Sequence, residues 1–484
     1  MALLEADQTT TQTGDAEAIR NMQTAFEAQR NAFAADRHPA LAARRKRLQR
    51  IITMMEACKE RIYAALSADF GAHSTPAADM FEVQPVILRA QFAIKHLEEW
   101  MRPVPREVDP PYNAVMRAFV KSQPKGVVGN IAPWNFPFEI GLGPMVDIIA
   151  SGNRFMLKPS EFTPACSALM QQMIAEHFHE ELAYVAVGGL ELARAFSALP
   201  FDHLLYTGSS NVGKQIMAAA ARNLTPVTLE LGGKCPAVFL PGSVTADAVN
   251  TVIGVKSIKN GQMCVTVDHC FVPRADVDNF THMAAEFMAA AMPGYARSQA
   301  CTGIISDDHL ERIAGMLAEA EARGARIITL ETDGTVNRQT RQMPLTLVLD
   351  PPSDLRIMQE EIFGPIIPVI PYDELDEAIE RINVGDRPLG VYVMGDDVPA
   401  IDRVLSETVS GGAAVNAAAI QAGLKALGFG GVGMSGMGRH HGEDGFREFS
   451  NQRGVVVRGE GPHFDAFVSP TQNDTELVGQ VPAG

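Results

Sequence analysis

Apolar residues recur at helical spacing from Ala40 to about Phe70, and a second stretch of the same kind runs to about Trp100. Pro103, Pro105, Pro110 and Pro111 then break regular structure; Ala114 to Lys121 reads as an extended arm, and Pro124-Lys-Gly126 turns the chain again. From Val127 to Glu230, short β-type runs (Val127 to Ile131, Arg154 to Leu157, Ala183 to Val187, His203 to Tyr206, Val227 to Leu229) alternate with helical patterns such as Pro164 to His179 and Lys214 to Arg222. That rhythm predicts a parallel sheet with helices on both faces, the doubly wound nucleotide-binding type of α/β fold. Between Gly232 and about Gly430 the alternation resumes with longer helices (Asp307 to Gly324, Leu375 to Asn383), as expected of a second α/β unit. Val455-Val-Val457 is a strand candidate, whereas the first fifteen residues and the polar Pro/Gly-rich tail are expected to be loose.

Composition narrows the class. At 484 residues the chain holds about three domain-sized units. A formal charge of −16 argues against nonspecific binding to nucleic acid or anionic membranes, both of which need clustered positive charge. The one basic run, Arg44-Arg45-Lys46-Arg47, sits among Leu41, Leu48, Ile51 and Ile52 and reads as the wet face of a helix. Six cysteines without CxxC spacing fit a reducing compartment. The acidic start Met1 to Asp7 lacks signal-peptide character, and the apolar stretch from Asn130 to Gly152 is interrupted by Pro133, Pro137, Glu139, Pro144 and Asp147. A cytoplasmic protein with neither membrane nor nucleic-acid partner is expected.

Three residue types in turn-like settings point to acyl chemistry. Cys264, in Asn260-Gly-Gln-Met-Cys-Val265, is a potential nucleophile, since a free thiol attacks carbonyls near neutral pH without a metal. An isolated cysteine is more often buried and inert, the reading retained for Cys270. Glu230 closes a β-type run just before Gly232-Gly233, where the carboxyl edge of an α/β sheet presents groups to a crevice, and burial can raise its pKa enough to make it a general base. Alone, it serves equally well as a helix cap or ion-pair partner. Asn135, in Trp134-Asn-Phe-Pro137, follows a strand directly and can donate to a developing oxyanion, or simply make a turn.

Of two glycine patterns, Gly431 to Gly436 is a formal GxGxxG without a preceding strand and is rejected as a nucleotide motif. Gly208-Ser-Ser-Asn-Val-Gly213 lies between a strand and a helix, so its amides can meet a phosphate. His177-Phe-His179 and His440-His441 have too few companions for a metal site, and none is expected.

Taken together these segments resemble the aldehyde dehydrogenase superfamily over residues 40 to 450. Pro133 to Pro137, Lys158-Pro-Ser-Glu161, Gly208 to Gly213, Glu230 to Lys234, Gly261 to Cys264 and Glu361-Ile-Phe-Gly-Pro365 fall in the family's order. The resemblance implies a fold of two doubly wound domains plus an oligomerisation arm. It implies Cys264 as nucleophile, Asn135 with the Cys264 amide as oxyanion donors, and Glu230 as the base that hydrolyses a thioester. It assigns Lys158 and Glu161 to the adenosine ribose, Gly208, Ser209 and Gly213 to the pyrophosphate, Glu361 to the nicotinamide ribose, and Phe363 to the nicotinamide. A carboxylate at Glu161 suits the 2′-hydroxyl of NAD and disfavours the 2′-phosphate of NADP, so NAD is the expected cofactor with NADP possible.

Gly433 to Gly438, His441-Gly442, Phe446 and Phe449-Ser450 look like the class 3 side of the family, and Val128 to Phe138 is similar to bacterial coniferyl aldehyde dehydrogenases. Aromatic or medium-chain apolar aldehydes are the substrates this implies, with Trp134, Phe136 and Phe138 beside the pocket, and a homodimer is the implied assembly. The implied division is 1–105 for the helical lead-in and first part of the cofactor domain, 106–123 for the arm, 124–231 for the NAD-binding domain, 232–430 for the catalytic domain and 431–484 for the C-terminal segment. Gly428 departs from the family's usual proline and leaves substrate choice open. A coenzyme A-acylating relative generally lacks the base at Glu230, and a catalytically silent scaffold would have no reason to keep Cys264, Glu230 and Asn135 together.

Overall fold

The computed structural model describes residues 2–110, 112–331 and 334–459. A long helix, Ala2–Ala35, comes first among the described residues, so residues 2–15 are helical where a loose segment was expected. From Met22 onward this helix contributes Met22 and Phe26 to a core beneath it, and such tertiary packing supplies most of a helix's stability. Helices Leu41–Phe70 and Gln84–Trp100 follow, as the apolar spacing predicts.

Strands β1 (Val104–Arg106) and β2 (Met116–Pro124) begin the arm. The first α/β unit then supplies β3 (Val127–Ile131), β4 (Arg154–Lys158), β5 (Ala183–Val185), β6 (His203–Gly208) and β7 (Val227–Leu231). The second supplies β8 (Pro236–Phe239), β9 (His269–Pro273), β10 (Arg326–Thr329), β11 (Thr346–Leu349), β12 (Ile366–Tyr372), β13 (Gly390–Met394) and β14 (Gly412–Val415). The chain closes with β15 (Gly436–Met437) and β16 (Ser450–Arg458), which contains the expected Val455 to Val457 strand. The polar tail expected to be loose lies outside the described residues.

These strands form three sheets, ordered β15-β7-β6-β3-β4-β5, β10-β11-β12-β9-β8-β13-β14 and β1-β2-β16. In the first, β3 pairs in parallel with both β4 and β6, so the chain reverses its direction of winding there. In such sheets ligands meet the carboxyl ends of the strands at the reversal. Neighbouring strand residues bury into opposite layers: Val127 belongs to the core shared with Ala2–Ala35, and Val128 to the core shared with the two following helices. Phe239 and Val238 split between two layers of the second sheet in the same way. The two large sheets are thus covered on both faces, the arrangement that their continuous apolar strands require.

The units are tied together beneath the carboxyl edge by one buried carboxylate. Glu82 accepts the backbone N–H groups of Phe138 (3.0 Å) and Glu139 (3.1 Å) at the start of helix Pro137–Ala150, and its other oxygen pairs with Lys259 Nζ at 2.7 Å. An acid at a helix N-terminus satisfies amides that have no partner within the helix. Lys259 also lies over the Phe70 and Phe136 rings, at 4.4 and 4.9 Å from their centroids. Removing one member of such a pair strands the other's charge. Lys259→Met is therefore expected to lower unfolding stability in urea by about 3–5 kcal/mol, with Glu82→Gln/Lys259→Met regaining much of it; an unchanged midpoint for the single variant would contradict this account.

Candidate active site

The turn after β3, the ends of β6 and β7, the loop before β9 and the loop before β12 converge on one cavity of about 250 Å³. Its walls include Asn135, Glu230, Cys264, Glu361 and Phe363, together with Trp134, Gly208 and Ser209. Cys264 is half-buried, while the other five cysteines are buried.

The Cys264 loop owes its shape to a run of unusual backbone. Lys259, Asn260 and Gly261 all have positive φ (51°, 54° and 75°). A side chain at Gly261 would put Cβ 2.2 Å from the Gly364 carbonyl oxygen, so only glycine lets this loop approach the Glu361–Phe363 segment. Gln262 staples the loop from within: its amide donates to the Lys259 and Gly303 carbonyls (2.9 and 3.1 Å), and its oxygen accepts from Ile305 N (3.0 Å). Asn135 Nδ2 donates to the Gln262 carbonyl at 3.2 Å, which links the turn after β3 to the thiol-bearing loop. Isolated residues in left-handed backbone are costly and persist where surrounding bonds over-determine them.

Burial dominates the electrostatics. It pushes the Cys264 thiol well above the usual range, and the carboxyl groups of Glu361, Glu230 and Glu139 push the same way. The resting thiol is therefore protonated at neutral pH. Glu230 is 1 % exposed with neither carboxylate oxygen hydrogen-bonded, and burial raises its pKa far above that of an ordinary carboxylate, with Glu448 adding to the effect and Arg439 and Arg89 opposing it. Strongly raised titratable groups that share one small cavity mark it as a candidate site for proton-transfer chemistry.

Glu361 is also raised, to about 8, by burial and by Asp268. A Cβ on Gly232 would lie 2.0 Å from Glu361 Oε2, so the missing side chain is what lets that carboxyl rest against the backbone. Lys234 braces the same loop through Asp268 Oδ1 (2.5 Å) and the Ile357 and Glu360 carbonyls (2.8 and 2.9 Å), and Asp268 Oδ2 accepts from Ile362 N (3.0 Å).

The groups at the other strand ends fit a dinucleotide. Lys158, at the end of β4, pairs with Glu161 at 2.6 Å, offering a donor and an acceptor side by side for vicinal hydroxyls. Ser209 caps the helix Ser210–Ala221, which begins four residues earlier than the predicted Lys214 and so brings its N-terminus, favourable to phosphate, to the cleft. The Thr207 hydroxyl, also in the cleft wall, lacks any partner. Gly213 lies one turn into that helix, where a Cβ would meet Leu231 Cδ2 at 2.8 Å; it serves close helix–strand packing and does not line the cleft.

Two expected pocket residues lie elsewhere. Phe138 is fully buried in the core beneath helix Pro137–Ala150, and Phe136 is buried against Lys259, because the helix begun at Pro137 turns both rings inward. Trp134 does reach the cleft, edge-to-face with Phe363 and His309 at 5.3 Å each. His309 and Arg312 line the cavity without belonging to any motif. Arg312 holds the Glu361 and Ile362 carbonyls at 3.3 and 2.6 Å. Only the Ser306-Asp-Asp-His309 capping pattern could have drawn notice to this helix start. Gly428, the departure from the family pattern, lies where a Cβ would meet Asp444 Oδ2 at 2.6 Å.

Comparison with known proteins agrees with this geometry. The family model described as "Aldehyde dehydrogenase family" matches residues 5–455. The "Probable coniferyl aldehyde dehydrogenase" of Caulobacter vibrioides is 41% identical over 438 residues, 90% of each chain. The "Coniferyl aldehyde dehydrogenase" of a Pseudomonas species is 39% identical over 86% of this chain and 87% of its own. The solved substrate-bound AldH of Staphylococcus aureus superposes with a TM-score of 0.86 at 30% identity, covering 91% of this chain and 95% of the other. Both expected features of the fold, the two α/β units and their covered sheets, are thus shared with it.

Among the six thiols only Cys264 is accessible, so a small alkylating reagent is expected to label the folded protein once, at Cys264, and not at all after Cys264→Ala. Because the thiol is raised, the labelling rate should still be climbing at about pH 9. A rate that levels off near neutral pH, or a label on another cysteine, would contradict the described environment.

Proposed function

The chain belongs to the aldehyde dehydrogenase family, NAD(P)-dependent oxidoreductases acting on aldehydes, and from that premise we propose that it oxidises aromatic aldehydes, coniferyl aldehyde to ferulate foremost, by covalent catalysis at Cys264. The observation that carries this reading is the meeting of Cys264, Glu230 and Asn135 in one small cavity walled by Trp134 and Phe363. The 39–41% identity to enzymes named for coniferyl aldehyde supplies the substrate class.

In this reading the Cys264 sulfur, its proton released to solvent, adds as the thiolate to the aldehyde carbon, giving a thiohemiacetal whose oxyanion is met by Asn135 Nδ2 and the Cys264 amide. The cofactor, when bound, supplies the hydride acceptor that turns this adduct into a thioester. Glu230 then draws a proton from water, which attacks the thioester and releases the acid. Asn135 can serve because its amide is already aimed at the Cys264 loop, through Gln262. Trp134 and Phe363, set edge-to-face, offer flat apolar walls to a conjugated ring.

For the cofactor, Lys158 and Glu161 take the adenosine ribose, Gly208 and Ser209 the pyrophosphate, Glu361 the nicotinamide ribose and Phe363 the nicotinamide. The acidic partner in the Lys158–Glu161 pair favours NAD over NADP, less steeply than a lone carboxylate because Lys158 offsets its charge. Residues 124–231 act as the cofactor-binding unit and 232–430 as the catalytic one, with 106–123 as the arm. β16 leaves a nine-residue edge beside β2, with Val456 exposed, which suits pairing with a second copy in a homodimer. Water as the acceptor, not coenzyme A, follows from a base at Glu230.

With NAD, kcat/KM for coniferyl aldehyde is expected to exceed that for hexanal and acetaldehyde by about tenfold or more, a difference of ~1.4 kcal/mol in transition-state binding. Cys264→Ala should abolish oxidation while leaving NAD affinity, read by calorimetry, unchanged. A preference for hexanal would move the substrate class, and turnover by Cys264→Ala would remove the covalent mechanism.

A further inference from the structure

His440 lies beside Glu230, outside the residues that line the cavity, in a segment with no assigned part in the chemistry. Its backbone is fixed by a two-way bridge to Phe429 (2.7 and 2.8 Å), and its ring is buried. Nδ1 sits 2.9 Å from Arg89 Nη2, and Nε2 sits 3.9 Å from Glu230 Oε1. Arginine only donates, so the contact with Arg89 makes Nδ1 the acceptor and leaves the ring proton on Nε2. The donor thus lies 3.9 Å from a carboxylate whose two oxygens have no hydrogen-bond partner.

Arg89 is itself held in place. It is buried, binds Asp147 through Nε (3.3 Å) and Nη2, and has Glu139 at 3.9 Å from Nη1; Asp147 also accepts the His441 backbone N–H at 3.0 Å. Burial together with Arg89 keeps the His440 ring well below its usual pKa, hence neutral. The charged groups acting on Glu230 are Arg439, Glu448 and Arg89; around His440 lie Arg89, the Glu230 carboxyl and the His441 ring, which burial keeps neutral.

We propose that His440 is a positioning residue for the general base: with its tautomer fixed by Arg89, its Nε2–H holds and orients the Glu230 carboxylate during hydrolysis of the thioester. The resting gap is about 1 Å longer than a hydrogen bond, and a small swing of the Glu230 side chain closes it, as catalytic contacts in unliganded enzymes commonly tighten. Holding the carboxylate this way lowers its pKa, so the fraction available as base at neutral pH rises. The inference rests on the assignment of Glu230 above.

Two substitutions separate the ring's two ends. Asparagine at 440 keeps an acceptor where Nδ1 meets Arg89 and loses the reach to Glu230; glutamine keeps a donor near Nε2. p-Nitrophenyl acetate is the probe: the Cys264 thiolate attacks the ester, nitrophenolate leaves, and water then hydrolyses the acetyl thioester, so the burst reads acylation and the later rate reads deacylation. His440→Asn is expected to keep the burst, to slow the later rate about tenfold and to move its acid limb up by about one pH unit. His440→Gln is expected to restore most of both, and Glu230→Gln to deacylate slowest. A wild-type rate and pH profile in His440→Asn, or equal losses of burst and later rate in both 440 variants with the limb unmoved, would overturn the proposal. A wild-type later rate in Glu230→Gln would instead overturn the base assignment beneath it.

Discussion

Through one oxygen Glu82 accepts two amides at the start of helix Pro137–Ala150, and through the other it grips Lys259, so the turn carrying Asn135 and the loop carrying Cys264 share a single buried anchor. A buried ion pair of this kind adds little net stability, because desolvation cancels most of the attraction. Its worth is geometric. The positive-φ run Lys259 to Gly261 needs outside restraint, and Lys259, held by Glu82 and two aromatic faces, provides it at the first residue of the run. Gln262 provides it at the end, and the Asn135 bond to its carbonyl closes the circuit.

Around that frame the cleft is lined by buried acidic groups. Glu230, Glu361 and Glu139 are all pushed upward by burial, and they in turn push up the Cys264 thiol. Burial thus favours the protonated form of Glu230 and of the Cys264 thiol in the resting protein. Such a cleft favours a cation entering it, since positive charge nearby stabilises both thiolate and carboxylate. In the proposed reaction the oxidised nicotinamide ring would be a cation of that kind, which would couple cofactor entry to thiol activation. The raised Glu361, resting where Gly232 lacks a side chain, lines this region.

Much of this was legible beforehand, for identifiable reasons. Strand β3 was read at its true limits because four of its five residues are apolar or small and it stands between a Gly turn and a Pro-bounded turn, as buried parallel strands commonly do. Cys264, Glu230, Asn135, Glu361 and Phe363 stood in ordered motifs, and the fold brings all five to one cavity. Phe136 and Phe138 misled because aromatic character does not reveal direction; the helix begun at Pro137 turned them into the core. Gly213 misled because a glycine can serve a phosphate or a neighbouring strand, and here Leu231 is the neighbour. His309, Arg312 and the pairing of Arg89 with His440 could not be seen, since each joins residues far apart in the chain with no local pattern. The opening helix was missed because its Thr/Gln-rich start has low intrinsic propensity, while its later turns pack on the sheet.

The central claim is that a carbon–sulfur bond at Cys264 is made before water, directed by Glu230, breaks it. Intact-protein mass spectrometry of Glu230→Gln mixed with coniferyl aldehyde and NAD tests it most directly. The account predicts that one acyl group per chain accumulates, that peptide mapping puts it on Cys264, and that it decays far more slowly than wild-type turnover. Steady NADH production by Glu230→Gln with no acylated protein at any time would contradict it.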